Sequence, residues 1–175
     1  MKIVNIFANR LYAFQYSGNA ENELKYLLNI WNDTSYLYKF LKANKNDIGK
    51  ISIEGIIDQI IDDANEIDKT LHWLATNKNE NLEKFFKQLN NLETGYKVLS
   101  LRKGRKNYLR IYALKIDDNC FIITGGAIKF THLMEEREHT IKELQKLEQA
   151  KQYLTGKGVF DTDSFYELIS EQNDK

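Results

Sequence analysis

Arg110 stands between Tyr108 and Tyr112 in a segment whose composition is typical of a β-strand. Because successive strand side chains point to opposite faces, these three residues are predicted to share one face, and the apolar residues between them the other. Aromatic rings on which bases stack, beside a guanidinium group that holds a phosphate, are the groups that bind single-stranded RNA. The spacing therefore predicts a strand face that contacts RNA.

The sequence just before this strand concentrates positive charge. Residues 96–116 contain seven basic residues and no acidic one, although the whole chain balances 25 basic against 25 acidic residues. Four of the seven lie in a predicted connection between two strands: Arg102, Lys103, Arg105 and Lys106. A local excess of positive charge in a neutral chain is typical of a surface that binds phosphate backbones. We expect these four residues and Tyr108 to bind RNA.

A simpler interpretation of the same residues stays open. Tyrosines are common in half-buried strands, so Tyr108 and Tyr112 are equally well explained as sheet packing. A basic hairpin loop is equally compatible with a solvated connection that binds nothing.

The segment around Arg110 also carries a recognisable order of features. An Arg-bearing strand is followed by the acidic turn Asp117-Asp118, an apolar strand, and an exit through Gly125-Gly126 to Lys129 before a charged helix. This order resembles the RelE/HigB superfamily of bacterial toxins, and the phage-derived HigB-type branch most of all. The resemblance covers about residues 96–150. It implies a RelE-like fold, metal-independent mRNA cleavage that inhibits translation, binding to RNA or the ribosome, and inhibition by a small antitoxin protein.

Cleavage of this kind is the attack of a 2′-hydroxyl on the adjacent phosphate, which needs a base, an acid and cations. If the protein is a nuclease, Arg110 and Arg105 are the expected cations, and Tyr112 orients or protonates a reacting group. Lys129 acts as the base if burial or neighbouring cations lower its pKa. Arg110, Tyr112 and Lys129 are therefore the expected catalytic residues.

Other candidate groups are fewer. His132 and His139 are seven residues apart and would share a helix face as an acid/base pair, although histidines among charged residues are usually solvated. Gly125-Gly126 has neither a dinucleotide fingerprint nor a P-loop, and such a pair more often marks a bulge or turn than a phosphate loop. No cluster with metal-ligand spacing is present in the sequence, so we expect neither a metal nor a cofactor.

The elements that must position these residues follow from the hydrophobic periodicity. Strand patterns occur at residues 1–7, 11–16, 96–101, 108–116 and 120–124, and helical patterns at residues 20–44, 52–71, 81–89, 133–154 and 162–169. Asn32-Asp33-Thr34 either interrupts or recaps the first helix. The order predicts an α+β fold in which helices pack on one face of an antiparallel sheet, made of a central three-stranded meander plus an N-terminal hairpin, with the other face open. We expect one domain over residues 1–175, with the hairpin and first helices in 1–95 and the RelE-like sheet and C-terminal helices in 96–172.

Composition limits the cellular setting. A single cysteine, Cys120, forms no internal disulfide and is predicted to be buried, which favours a reducing, cytoplasmic environment. No apolar run approaches the ~20 residues that span a bilayer, so no membrane association is expected. Two alternatives to an endoribonuclease stay open: a non-catalytic RNA- or protein-binding module with a RelE-like fold, and a structural interaction domain that uses the helical N-terminal half.

Overall fold

The computed structural model describes residues 1–88, 98–101, 108–130 and 138–173. The strands are β1 (Lys2–Phe7), β2 (Leu11–Gln15), β3 (Phe86–Gln88), β4 (Val98–Leu101), β5 (Leu109–Asp117) and β6 (Cys120–Ile128). The α-helices are α1 (Glu23–Trp31), α2 (Thr34–Ala43), α3 (Lys45–Ile48), α4 (Ile53–Thr76), α5 (Glu138–Gly156) and α6 (Thr162–Asn173), and Leu82–Phe85 forms a 3₁₀ turn. The predicted α+β class is confirmed.

The strands of the described residues form one six-stranded sheet in the order β1-β2-β6-β5-β4-β3. The N-terminal hairpin and the β4-β5-β6 meander are antiparallel, as predicted. The prediction of a wholly antiparallel sheet is wrong, because β2 and β6 pair in parallel between Leu11 and Ala13 of β2 and Phe121 and Ile123 of β6. Side-chain periodicity reports which face a residue occupies and carries no information on strand direction.

Helices cover both faces of the sheet. On one face, α1, α2 and α4 form a core that includes Trp31, Leu37 and Ile60. On the other face, α5 and α6 contribute Leu154 and Phe165 to a second core. The prediction of an open face is therefore wrong, because the apolar side of α5 is buried against the second face of the sheet.

The first helices begin where side-chain caps predict. Asp33 caps α2, because its carboxylate accepts the Tyr36 N–H at 3.0 Å, so the predicted helix over residues 20–44 is two helices. Ser52 caps α4 by accepting the Gly55 N–H at 3.0 Å. These signals are local in sequence, which is why they were predictable.

One other element differs from its prediction. Residues 81–89 were expected to be helical, but Leu82–Phe85 forms the 3₁₀ turn and Phe86–Gln88 forms β3. Helix α6 begins at Thr162, as predicted, and Asp161 caps it, because the Asp161 carboxylate accepts the Ser164 N–H at 2.9 Å. The predicted start of α5 at residue 133 lies outside the described residues.

Strand β6 continues further than predicted and contains a bulge. Gly125 and Gly126 were expected at a strand exit but lie inside the strand. Tyr112 pairs with Gly125 and Ala113 with Ile123, which leaves Thr124 as the extra residue. Its hydroxyl donates to the carbonyl oxygen of Tyr112 at 3.2 Å. A bulge re-aims the residues that follow it, in this case the glycine pair.

Candidate functional site

The two parallel strands separate at their carboxyl ends. Their pairing ends at Ala13 and Ile123, and the helices that follow them, α1 and α5, lie on opposite faces of the sheet. In open sheets, a crevice that binds ligands lies outside the carboxyl ends of parallel strands where the connections leave to opposite faces. Tyr16 crosses this gap and donates its hydroxyl hydrogen to the carbonyl oxygen of Thr124 at 2.6 Å.

The glycine pair lets side chains approach the backbone of β6 from both faces. A Cβ atom on Gly125 would collide with the carboxylate of Glu143 from α5. A Cβ atom on Gly126 would lie 2.7 Å from the carbonyl oxygen of Arg110 and 2.8 Å from the Leu27 side chain of α1. Gly125 therefore makes room for a charged group, and Gly126 makes room for apolar packing.

The carboxylate beside Gly125 belongs to a cluster of buried charges. The Lys146 ammonium lies 3.0 Å from Glu143 Oε1 and 2.5 Å from Glu23 Oε1, so it joins α5 to the first turn of α1. The side chain of Glu23 is 1% exposed and that of Glu143 is 9% exposed. The same ammonium lies 5.6 Å from the centroid of the Tyr16 ring. We call Tyr16, Glu23, Glu143 and Lys146 the strand-end cluster.

Burial sets the protonation of this cluster. It raises the pKa of Glu143 to about 7, a shift that Lys146 opposes and Glu23 increases. Burial also raises the pKa of Glu23, although Lys146 opposes that shift. Burial disfavours the charge of Lys146, but the two carboxylates outweigh it and raise the pKa of the ammonium group. A carboxyl group that titrates near neutral pH can both accept and release a proton under physiological conditions.

Tyr112 lies close to this cluster, inside the second core. It is 1% exposed, so the expectation that it would line an open strand face is wrong. Burial raises its pKa, the charge of Arg110 lowers it and that of Glu143 raises it. Tyr112 is thus near enough to sense both Arg110 and Glu143.

Arg110 and Lys129 lie at one end of the β5–β6 hairpin. Arg110 is half-buried, and one guanidinium nitrogen donates to the Leu109 carbonyl oxygen at 2.8 Å. Lys129 directly follows β6, and its backbone N–H donates to the Tyr108 carbonyl oxygen at 2.7 Å. Two of the three expected catalytic residues therefore belong to the same end of the sheet.

Tyr108 does not share a face with Tyr112. Its ring packs against Phe130, with the centroids 5.0 Å apart, and against the core formed by α1, α2 and α4. Tyr112 belongs to the opposite core. Strand alternation does not extend to Tyr108, because β5 begins at the next residue, Leu109.

Several predicted residues cannot be assigned a place. Arg102, Lys103, Arg105, Lys106 and His132 lie outside the described residues, and so does the side chain of His139. The described residues on either side of residues 102–107 are Leu101, the last residue of β4, and Tyr108, and both lie at the end of the sheet that carries Arg110 and Lys129.

Sequence reasoning missed the whole strand-end cluster. A signal for Glu143 was present, since residues 143, 147, 150 and 154 follow helical spacing and all four are buried. The apolar Ile141 of the same helix would be expected to face inward, but it is 39% exposed. No comparable signal links Glu23 to Lys146, because they are 123 positions apart.

No group of three or more His, Cys, Asp or Glu side chains in the described residues is arranged to hold a metal ion. Within the same part of the chain, no helix has the length and apolar character needed to cross a membrane. Comparisons with known proteins find no family model that matches this chain, no matching curated protein and no matching solved structure.

Proposed function

We propose that the protein is a HigB/RelE-like toxin of a bacterial toxin–antitoxin system. In this proposal it is a metal-independent endoribonuclease that inhibits translation in the cytoplasm by cleaving mRNA, either free or on the ribosome. The observation that carries the proposal is the position of two cations at one end of the β5–β6 hairpin. Arg110 pairs in register with Ala127, and Lys129 follows two residues after Ala127.

The charge of the neighbouring chain supports RNA as the substrate. The connection of residues 102–107 contains four basic residues and no acidic one, and it returns to the sheet one residue before β5. Several basic residues within a short stretch of sequence are typical of segments that bind a phosphate backbone. Tyr108 and Phe130 add two half-buried aromatic rings at the same end.

The proposed roles follow from position and burial. Arg110 stabilises the extra negative charge that the phosphate gains during attack, because a guanidinium group keeps its charge at every physiological pH. Lys129 binds the phosphate backbone. Tyr112 is a positioning residue between Arg110 and Glu143, since its burial keeps it away from the substrate.

Induced expression in bacterial cells tests this function. Growth and total-RNA integrity are compared for the wild type, Arg110→Ala, Lys129→Ala and Lys69→Ala at equal soluble levels. Lys69 is an exposed residue of α4 far along the chain from the hairpin, so its replacement controls for the loss of one positive charge. We expect arrest with cleaved mRNA for the wild type and Lys69→Ala, and relief for Arg110→Ala. Normal growth with intact RNA at high soluble wild-type expression would contradict the toxin proposal.

A second candidate is a non-catalytic RNA- or protein-binding module with the same fold. The burial of Tyr112 favours it, since an expected acid of the reaction has no direct access to a substrate. Under this alternative, the purified chain shifts single-stranded RNA in a gel without producing shorter fragments. Co-purification with an antitoxin-sized protein in the absence of RNA binding would instead point to a protein partner.

A further inference from the structure

The strand-end cluster contains buried polar atoms that the described residues leave without partners. Glu143 is 8% exposed, and its Oε1 atom contacts Lys146, but Oε2 has no side-chain partner among the described residues, and the backbone N–H of Gly126 is the other group that stabilises the carboxylate. The hydroxyl oxygen of Tyr112, which is 1% exposed, also lacks a partner. Unpaired buried polar atoms are costly and rare in folded proteins, so each needs an explanation. A ligand with its own hydroxyl group supplies a partner for Glu143 Oε2.

The contacts of Lys146 with Glu23 and Glu143 differ from those of an ion pair whose only role is to stabilise the fold. Lys146 contacts one oxygen atom from each of two carboxylates, so one positive charge faces two acids in a water-poor place. A stabilising pair in such surroundings would use its remaining oxygen atoms in further hydrogen bonds. Here Oε2 of Glu143 has no side-chain partner and lies against the backbone of Gly125, where any larger residue would displace it, beside the Gly126 N–H that partly opposes the rise in the pKa of Glu143.

We propose that Glu143 is the general base of the RNA cleavage proposed above, and that the ribose of a ribonucleotide binds at the carboxyl ends of β2 and β6. This proposal rests on the proposed function and names the residue that starts its reaction. Lys146 is a positioning residue, because it holds Oε1 of Glu143, and Glu23 holds Lys146 in turn.

The chemistry balances with the groups at hand. Glu143 Oε2 accepts the proton of the 2′-hydroxyl, and the freed oxygen attacks the adjacent phosphorus atom. The bond between O2′ and phosphorus forms as the bond between phosphorus and O5′ breaks, which leaves a 2′,3′-cyclic phosphate and a 5′-hydroxyl end. O5′ takes a proton from water, and Glu143 later returns its proton to water. Arg110 lies two residues before Tyr112 on the same strand, about 7 Å along it, in reach of the phosphate.

The charges around Glu143 tune it for this step. The groups that face it are Lys146 on its own helix, Glu23 on α1, Tyr36 on α2, Tyr16 after β2 and Tyr112 on β5. Burial raises the pKa of Glu143 to about 7, and a general base is most effective when its pKa is near the working pH. At pH 7 to 8 a large fraction of Glu143 is ionised and ready to accept a proton.

The test is single-turnover cleavage of a labelled single-stranded RNA by the purified full chain from pH 5 to 9. Three variants are compared with the wild type: Glu143→Gln, Arg110→Ala and Glu148→Gln. Glu148 is an exposed residue of the same helix, so it is the matched control for a lost carboxylate. We expect Glu143→Gln to cut the rate at least ~100-fold and to remove the acidic limb of the pH profile, with RNA affinity unchanged.

The outcomes separate this proposal from the proposed function. If Arg110→Ala is inactive while Glu143→Gln cleaves as the wild type does, the protein is a ribonuclease and Glu143 is not its base. If the wild type cleaves no RNA, with or without ribosomes, the function and the proposal both fail. Should Glu143→Gln not fold, the carboxyl ¹³C signal of Glu143 in the wild type decides. A titration near pH 7 that moves when a 2′-deoxy analogue of the RNA binds supports the proposal, and a signal that the analogue leaves unchanged overturns it.

Discussion

The two faces of the sheet differ in chemistry at adjacent glycines. On one face, Gly126 lies against Leu27 and Trp31, and its missing Cβ atom lets α1 pack closely. On the other face, Gly125 lies against the carboxylate of Glu143. The first face places apolar atoms at the closest approach, and the second places an ionisable group there.

This difference separates a face that contributes packing from a face that holds an ionisable group able to react. Apolar atoms that fill the space over Gly126 are the ordinary solution to packing a helix on a sheet. A carboxylate over Gly125, with one oxygen atom unpartnered, costs stability and calls for a compensating role. The predictions below change one face at a time.

Trp31→Ala is expected to have the largest effect on stability. The Trp31 side chain is 1% exposed and fills the apolar face over Gly126, so truncation leaves a large cavity. We expect the free energy of unfolding to fall by about 3–5 kcal/mol in urea denaturation. Trp73→Ala is the matched control, because Trp73 is 46% exposed. Equal losses for the two variants would mean that the apolar face does not depend on this contact.

The two tryptophans also show which structural features can be predicted from the sequence. Both lie at helical spacing that favours the core, but only Trp31 is buried. Leu71 and Leu74 of α4 are buried, and Trp73 between them lies on another face of the same helix. Caps such as Asp33 and Ser52 were predictable because their partners are three residues away. The parallel pairing of β2 with β6 and the contact of Glu23 with Lys146 join distant segments, and local periodicity carries no information on them.

On the face that holds Glu143, the free energy of unfolding is expected to depend on pH. The pKa of Glu143 rises from 4.5 to about 7 on folding, so the folded state holds a proton that the unfolded chain releases. Protonated Glu143 therefore contributes to the free energy of unfolding of the wild type, measured relative to Glu143→Gln. This contribution is fully present below pH 4.5 and is lost as the pH rises to about 7. The loss amounts to about 3 kcal/mol at most, from 1.36 kcal/mol for each pH unit.

Urea denaturation of the wild type and Glu143→Gln between pH 4.5 and 8 measures this difference, with Glu148→Gln as the matched control. A wild-type stability that increases with pH relative to Glu143→Gln would reverse the sign and mean that Glu143 is better solvated or better paired than its burial indicates.

The glycine pair itself permits a direct contrast. Gly126→Ala forces a Cβ atom against the Arg110 carbonyl oxygen, which cannot move without shifting β5, so we expect a loss of about 1–3 kcal/mol. Gly125→Ala meets the end of the Glu143 side chain, which can rotate away, and its cost in stability is smaller. Its effect on RNA cleavage is larger, because the base is displaced. Urea denaturation and the cleavage assay together measure both effects, and a Gly125→Ala variant with full activity would contradict the assignment of Glu143.

The smallest expected effects concern helix starts, which are built alike on both faces. Ser52 caps α4 on the apolar face, and Ser164 accepts the Phe160 and Asp161 N–H groups at 3.0 and 3.1 Å before α6 on the other face. Each serine-to-alanine change should cost about 1 kcal/mol in urea denaturation, and the two losses should add. Ser35→Ala, at an exposed position inside α2, is the control. Equal costs would mean that local helix signals do not distinguish the two faces. The difference between the faces then lies in the charges held at the ends of β2 and β6.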